Sequence, residues 1–459
     1  MSRTATPPDS TRPPGMRTFF LIWIGQMVSS LGSGLSRFGL GVWVFEKTGS
    51  ATSFALVLFF AVLPGVLLSP VAGAYVDRLD RKRVMIATDA GAALGTLAVA
   101  LLLFAGRLEM WHIYTVVAVG GALGAFQGPA HGATTSLLVP KEQFTRAIGL
   151  VQFGQAGTRI AAPVLAAALM GIIGFRGILL IDFASFLFAA GTLLLVPIPN
   201  PARAAGGGKR PPIWREAAYG WRYLLERRGL AGLVAVFTVI NLAMAIAQGV
   251  YQPMVLSTAS SAALGTISSI GGLGMLAGSL LLSTWGGPRR KMHGVLGAAG
   301  LVGLSHVLFG VRAAVPVWAV ALFGVMFAMP FVSGSVTAVM MRKVAPEVQG
   351  RVFATIQMVA MSSAPVGYLA AGPLADRVFE PLLRPGGALA GSVGSLIGVG
   401  AGRGMGLMMI AAGVVMVLST LAGILDPRIR NLEEELPDAI DAAPAPPAEP
   451  EPAVAGAAD

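Results

Sequence analysis

Apolar residues run through this chain in long, nearly unbroken stretches, and polar residues gather in short clusters between them. The stretches fall near 18–44, 51–76, 84–105, 112–138, 147–172, 175–197, 230–256, 261–285, 292–311, 314–341, 350–375 and 404–425. A helix rises about 1.5 Å per residue, so roughly 20 apolar residues cross a hydrocarbon layer about 30 Å thick. The pattern therefore predicts an all-α integral membrane protein with twelve transmembrane helices. A longer polar segment divides these into two groups of six. It predicts a tail over 1–17, a six-helix bundle over 18–197, a linker over 198–229, a second bundle over 230–425, and an acidic, Ala/Pro-rich tail over 426–459.

Composition agrees with lipid as the main solvent. Of 459 residues, 55% are hydrophobic and 12% charged, against about 25% charged in a soluble domain. There are no cysteines, which excludes disulfides, zinc fingers and thiol nucleophiles. The net charge of +11 could suggest nucleic acid, but such binding needs the bases gathered on one soluble surface. Here they follow topology. With the N-terminus inside, the inner segments hold 24 of the 33 Lys and Arg, the outer loops seven, and Arg37 and Arg159 lie within spans. Positive residues are retained on the cytoplasmic side, so both termini are expected there, in a multi-pass inner-membrane protein.

Within the linker, residues 213–228 place Trp214, Ala217, Ala218, Trp221, Leu224 and Leu225 on one helical face and Arg215, Arg222, Glu226 and Arg227 mostly on another. That spacing predicts an amphipathic helix lying on the inner leaflet. The two halves also repeat. Arg81-Lys82-Arg83 after span 2 returns as Arg289-Arg290-Lys291 after span 8. Pro140, Glu142 and Arg146 before span 5 return as Pro346, Glu347 and Arg351 before span 11. Two six-helix halves at a near-constant offset are the sequence sign of a duplicated transporter.

Between spans 2 and 3 the chain reads GAYVDRLDRKRV. This resembles the loop motif of the major facilitator superfamily, with Gly73, Asp77 and Arg78, then Arg81 and Lys82. Gly73 would let span 2 approach a neighbour closely. Asp77 would sit against a helix N-terminus, where the macrodipole favours an anion. The resemblance makes that helix span 11, starting at Gly350-Arg351, and makes the cluster a cytoplasmic gate. Arg78, Arg81 and Lys82 would bind lipid phosphates or pair with acids such as Asp89. SSLGSGLSRFGLGVWVFEKTGS in span 1, IDFASFLFAAGTLLL in span 6, EVQGRVFA entering span 11 and AGPLADRVFEPLL at its end together look like the third drug:proton antiporter family, the macrolide-efflux-like exporters. The resemblance covers nearly all of 18–425.

It implies a monomeric exporter of a hydrophobic or amphipathic small molecule (a drug, macrolide-like natural product or siderophore), driven by protons through alternating access. Solute uptake by the same fold, a membrane sensor and a membrane enzyme are the alternatives. The chain departs from the family at several points. Gly124 stands three residues before Gln127-Gly128, where many proton-coupled relatives carry arginine. Span 5 has Ala162-Pro163 and Ala166-Ala167 where glycines are usual, and the second-half loop has Trp285-Gly286 where an acid is expected. Its charge switch is thus expected to be one-sided.

The resemblance also implies that spans 1, 4, 7 and 10 line a central cavity. Gln26, Gln127, Asn241, Gln248 and Gln252 lie on such spans and can hydrogen-bond a ligand. Each ionisable residue within a span costs roughly 2.5–3.5 kcal/mol to insert and so needs a reason. Arg37 is a cavity residue or a structural partner of Asp182, and Arg159 is a cavity donor. Asp182 and Asp89 are the candidates for an ion pair or a proton site, and His131 for a titratable group. No Walker loop, HExxH, Cys/His metal spacing or nucleophile elbow is present. The four histidines are scattered at 112, 131, 293 and 306. No cofactor, metal or enzymatic activity is therefore expected. The Gly-rich outer stretch 379–403 suggests no mechanism from its sequence.

Overall fold

The computed structural model describes residues 15–76, 79–140, 143–196, 221–288, 290–344 and 346–435. Among them there is no strand, and twelve helices are long and apolar enough to cross a membrane. These are α1 (Gly15–Thr48), α2 (Ala51–Val76), α3 (Arg81–Phe104), α4 (Met110–Leu138), α5 (Phe144–Ile172) and α6 (Gly174–Leu195) in the first half. The second half holds α7 (Arg228–Leu256), α8 (Ser261–Trp285), α9 (Lys291–Val311), α10 (Val315–Lys343), α11 (Pro346–Leu374) and α12 (Arg403–Leu425).

Helix ends reach beyond the apolar runs because local chemistry, not hydropathy, terminates them. Arg81, Lys82 and Arg83 form the first turn of α3 rather than a loop, because Asp80 caps it, its Oδ1 accepting from Arg83 N at 3.2 Å. α11 begins at Pro346, four residues earlier than the expected Gly350, and proline suits the first turn of a helix, where its missing N–H removes no bond. Lys82 points its ammonium at the C-terminus of α6, donating to Val196 O at 2.7 Å and Leu194 O at 3.4 Å. A cation there stabilises the negative end of the helix dipole.

The two halves pack alike. In the first, α1 lies on α5 and α6, α2 on α4, and α3 on α4 and α6; in the second, α7 lies on α11 and α12, α8 on α10, and α9 on α10 and α12. Small residues permit the close approaches. A Cβ on Gly121 would meet the backbone of Ala61, and one on Gly278 the backbone of Phe327. Without hydrophobic driving force between helices in lipid, such backbone proximity is what holds them. Outward-facing Leu94, Leu101, Leu187 and Leu280 are exposed, as a lipid-facing surface requires.

The halves meet through α2 against α11 and α5 against α8. Twelve alternating helices put the basic ends (Arg81, Arg228, Lys291, Arg342 and Lys343) on one face of the bundle, the basic face. The joints between halves lie in the middle and towards the opposite face. Gly372 of α11 abuts Thr52 at the start of α2, and Gly265 of α8 abuts Pro163 and Ala167 of α5. The Ala-Pro-Ala-Ala pattern of span 5 thus forms part of this joint.

The ends of the chain differ from expectation in one respect. Residues 427–435 are ordered: after Asp426 caps the turn Pro427–Arg430, Ile429 and Leu432 are buried with Leu224, Leu230 and Met340. Glu433 accepts from Met292 N at 3.1 Å and so caps α9, while Lys343 donates to its backbone oxygen. Of the amphipathic helix, 221–226 are helical with Leu224 buried and Trp221 and Leu225 exposed. Its earlier residues, the rest of the linker, the tails 1–14 and 436–459, Asp77 and Arg78 lie outside the described residues, as do the side-chain contacts of Gly73, Gly350 and Arg351.

Candidate functional site

A cavity of about 910 Å³ opens in the first half. Its wall comes from the N-terminal part of α1, the C-terminal part of α4 and the N-terminal part of α5, all of them ends on the basic face. Phe19, Trp23, Met27, Ile148 and Val151 make it mainly apolar, while Gln26, Gln127, His131, Gln152 and Gln155 supply polar groups. Gly124, Gly128 and Gly132 face open space on the α4 wall. An apolar cavity with few convergent polar groups is the usual form of a small-molecule site. The glycine at 124 brings no side chain to this wall.

Asp89 lies behind two of those polar groups. It is buried, and its carboxylate accepts from Gln127 Nε2 at 2.6 Å and from Gln26 Nε2 at 3.0 Å. The bonds tie α3 to α1 and α4. Among the described residues the partners of Asp89 are two neutral amides rather than the expected basic loop: it stands two turns inside α3, and Lys82 turns to α6. Among the described residues Asp89 forms no ion pair, and a carboxylate held by amides can exchange a proton without breaking one.

A second polar cluster lies about 16 Å further along α1, eleven residues beyond Gln26 at 1.5 Å each. Asp182 of α6 is buried and accepts from Thr96 Oγ1 at 3.1 Å and Ser33 Oγ at 3.4 Å. Arg37 is an electrostatic neighbour of Asp182 and of Arg159, but among the described residues it forms no ion pair within 4 Å. Arg159 Nη1 lies 3.3 Å from Met275 Sδ of α8, across the joint between halves, where Ser269 Oγ also donates to Ile160 O at 2.8 Å.

The candidates on α7 do not converge on the cavity. Asn241 donates to Phe237 O of its own helix at 2.8 Å. Gln248 Oε1 accepts from Tyr368 Oη of α11 at 2.9 Å. Gln252 packs beside Gly41 of α1, its Oε1 buried without a hydrogen bond. Gln26, Gln127, His131 and Asp89 are thus brought together, Arg37, Asp182 and Arg159 form a second region, and the α7 residues bond between or along helices. Sequence reasoning passed over Gln152 and Gln155. Their signal was available, since with Arg159 they stand at i, i+3 and i+7, one helix face.

The family model described as Major Facilitator Superfamily matches residues 22–368. The chain belongs to the major facilitator superfamily. It is 28% identical over 364 residues to macrolide efflux protein A of Streptococcus pyogenes, covering 78% of this chain and 90% of that one. It is 24% identical over 380 residues to the multidrug efflux pump Tap of Mycolicibacterium fortuitum, covering 78% and 88%. Among solved structures, a bacterial homolog of the human lysosomal transporter Spinster, inward-facing and unoccupied, superposes with a TM-score of 0.68 at 13% identity, covering 91% of this chain and 98% of that one. The nucleoside transporter NupG gives 0.62 at 16% identity, covering 89% and 99%. These solved structures share the fold of the chain, and the family match makes it a membrane transporter.

Proposed function

We propose that the protein is a proton-driven exporter of bulky, amphipathic small molecules, working by alternating access. The observation that carries this reading is the 910 Å³ apolar cavity whose two lining amides bond a buried carboxylate. A site of that size with adaptable Met and aromatic walls suits a large hydrophobic compound better than a sugar or amino acid. The names of the relatives, macrolide efflux and multidrug efflux, point the same way.

The excess of Lys and Arg makes the basic face cytoplasmic, with both chain ends there. The state described is then open to the cytoplasm and closed outside. Asp89 is the group assigned to carry the proton. When ionised it holds Gln26 and Gln127 back from the cavity; when protonated it loses acceptor capacity and frees an amide to bond substrate. Arg159, at the joint between halves, would contact the part of the substrate that reaches beyond the cavity. On the cytoplasmic side, Gly73, Asp77, Arg78 and Arg81 with Gly350 and Arg351 form the gate that closes in the outward-open state, and the basic residues also hold lipid phosphates.

The test is a compound-sensitivity screen in a host lacking its efflux pumps, followed by uptake into inverted vesicles. Expression should raise resistance to bulky amphipathic compounds, and a protonophore should abolish vesicle uptake. Uptake indifferent to the protonophore would refute the proton as driving ion, and unchanged sensitivity to every such compound would refute export.

A further inference from the structure

Two acids one turn apart stand where the chain enters the outer stretch whose sequence suggested no mechanism, Asp376 just before it and Glu380 within it, and they face different halves. After α11 the chain continues through a five-residue π turn, Ala375–Phe379. Such a turn widens the helix and rotates the side chains that follow, and it occurs mostly where a side chain must be re-aimed. Asp376 in this turn reaches across to the first half. Its Oδ2 accepts from Ser50 Oγ at 2.7 Å and Thr52 N at 2.9 Å, and its Oδ1 from Ala51 N at 3.1 Å. Ala51 and Thr52 are the first residues of α2, whose amides have no partner within their own helix. Glu380 does the reverse and stays at home: it accepts from Gly402 N at 3.2 Å and Met405 N at 3.0 Å, at the start of α12.

We propose that Asp376 is a positioning residue of the transport cycle, the carboxylate that holds the two halves together on the opposite face, and that opening there requires its release from α2. This rests on the alternating-access reading above. Among the described residues, every hydrogen bond of the Asp376 carboxylate crosses from the second half to the first, so parting α2 from α11 at this end breaks them. The contact is also close by design, since Gly372 one turn earlier lies against Thr52 with no room for a Cβ. The bonds combine an anion with the positive end of a helix dipole, yet they stand beside a cavity of about 350 Å³ lined by Ser50, Asp376, Glu380 and Arg384. Water entering that cavity can replace the amides as they part. The same antiparallel helix pair carries an acid at its other end, Asp77, directly after α2.

The experiment uses the full chain, which has no native cysteine. Spin labels at Lys47→Cys and Thr258→Cys, exposed positions on the opposite face in different halves, report its opening by pulsed electron resonance in lipid nanodiscs. Asp376→Asn should raise the ratio of long to short distances about tenfold, equivalent to about 1.4 kcal/mol. Ser50→Ala, which removes one bond of the three, should shift it less and in the same direction, and it carries the test if the first variant does not fold. Glu380→Gln should leave the ratio at the wild-type value. A wild type with two distances whose ratio neither Asp376→Asn nor Ser50→Ala changes would overturn the latch alone, as would an equal shift from Glu380→Gln. A single distance in wild type and variants alike would overturn both the latch and alternating access.

Discussion

Replacing Asp89 by asparagine separates the carboxylate's charge from its place in the packing. Inserting a charged residue into a span costs about 2.5–3.5 kcal/mol. The two bonds from Gln26 and Gln127, at 3.0 and 2.6 Å, return about 1.5–3 kcal/mol each because the acceptor is ionised. The ion is therefore held near balance. Asp89→Asn removes the insertion cost and keeps two neutral bonds of about 0.5–1.5 kcal/mol each, once one glutamine turns its amide over. The two changes offset, so stability should move by no more than about 1 kcal/mol. Asp89→Ala leaves two amide donors without an acceptor and should be lower by about 1–3 kcal/mol. Thermal unfolding in detergent measures both. In proteoliposomes, Asp89→Asn should lose accumulation driven by an imposed pH gradient while retaining substrate exchange between the two sides. Wild-type accumulation by the asparagine variant would refute Asp89 as the proton carrier, whatever the stability result.

Other outcomes follow from the same geometry. Gly128→Phe should fold normally and abolish transport of bulky compounds, because its side chain enters open cavity; membrane yield and a resistance assay check the two parts. Gly121→Val, on the same helix but against the backbone of Ala61, should instead lose about 1–3 kcal/mol of stability through overpacking, seen as a lower unfolding temperature. Arg403→Ala should destabilise by about 2 kcal/mol, since its buried guanidinium bonds Gly310 O at 2.8 Å and Val311 O at 3.1 Å at the C-terminus of α9. Asp77→Asn should slow transport while leaving membrane insertion intact; normal transport rates would remove it from the gate.

Spans, repeat and family were legible because each rests on local information. Length and hydropathy count the helices, and the recurrence of Arg81-Lys82-Arg83 and Pro140 marks the duplication. The site was legible only as separate residues. Gln26, Gln127 and Asp89 could each be singled out as polar within a span, but their meeting depends on the rotation and depth of α1, α3 and α4, which no single helix encodes. Arg37 and Asp182 show the same limit, since similar depth did not make them an ion pair: Thr96 and Ser33 supply the carboxylate's bonds. Asp376 and Glu380 were hidden for another reason. They follow the apolar run of α11 and look like loop acids, and their partners are backbone amides, which leave no mark in side-chain sequence.

The cavity wall belongs wholly to α1, α4 and α5 among the described residues, whereas the second half contributes Asp376, Glu380 and Arg403 to the ordering of helix ends. The cavity wall is therefore written in the first half of the gene, while the outer latch needs both halves. Mutations that reshape the cavity wall can accumulate in the codons for α1, α4 and α5 without touching Asp376, Glu380 or Arg403. A hybrid joined within the linker, first half from this chain and second from a relative, would keep this cavity wall whole but would have to re-form the Asp376 bonds to Ser50, Ala51 and Thr52.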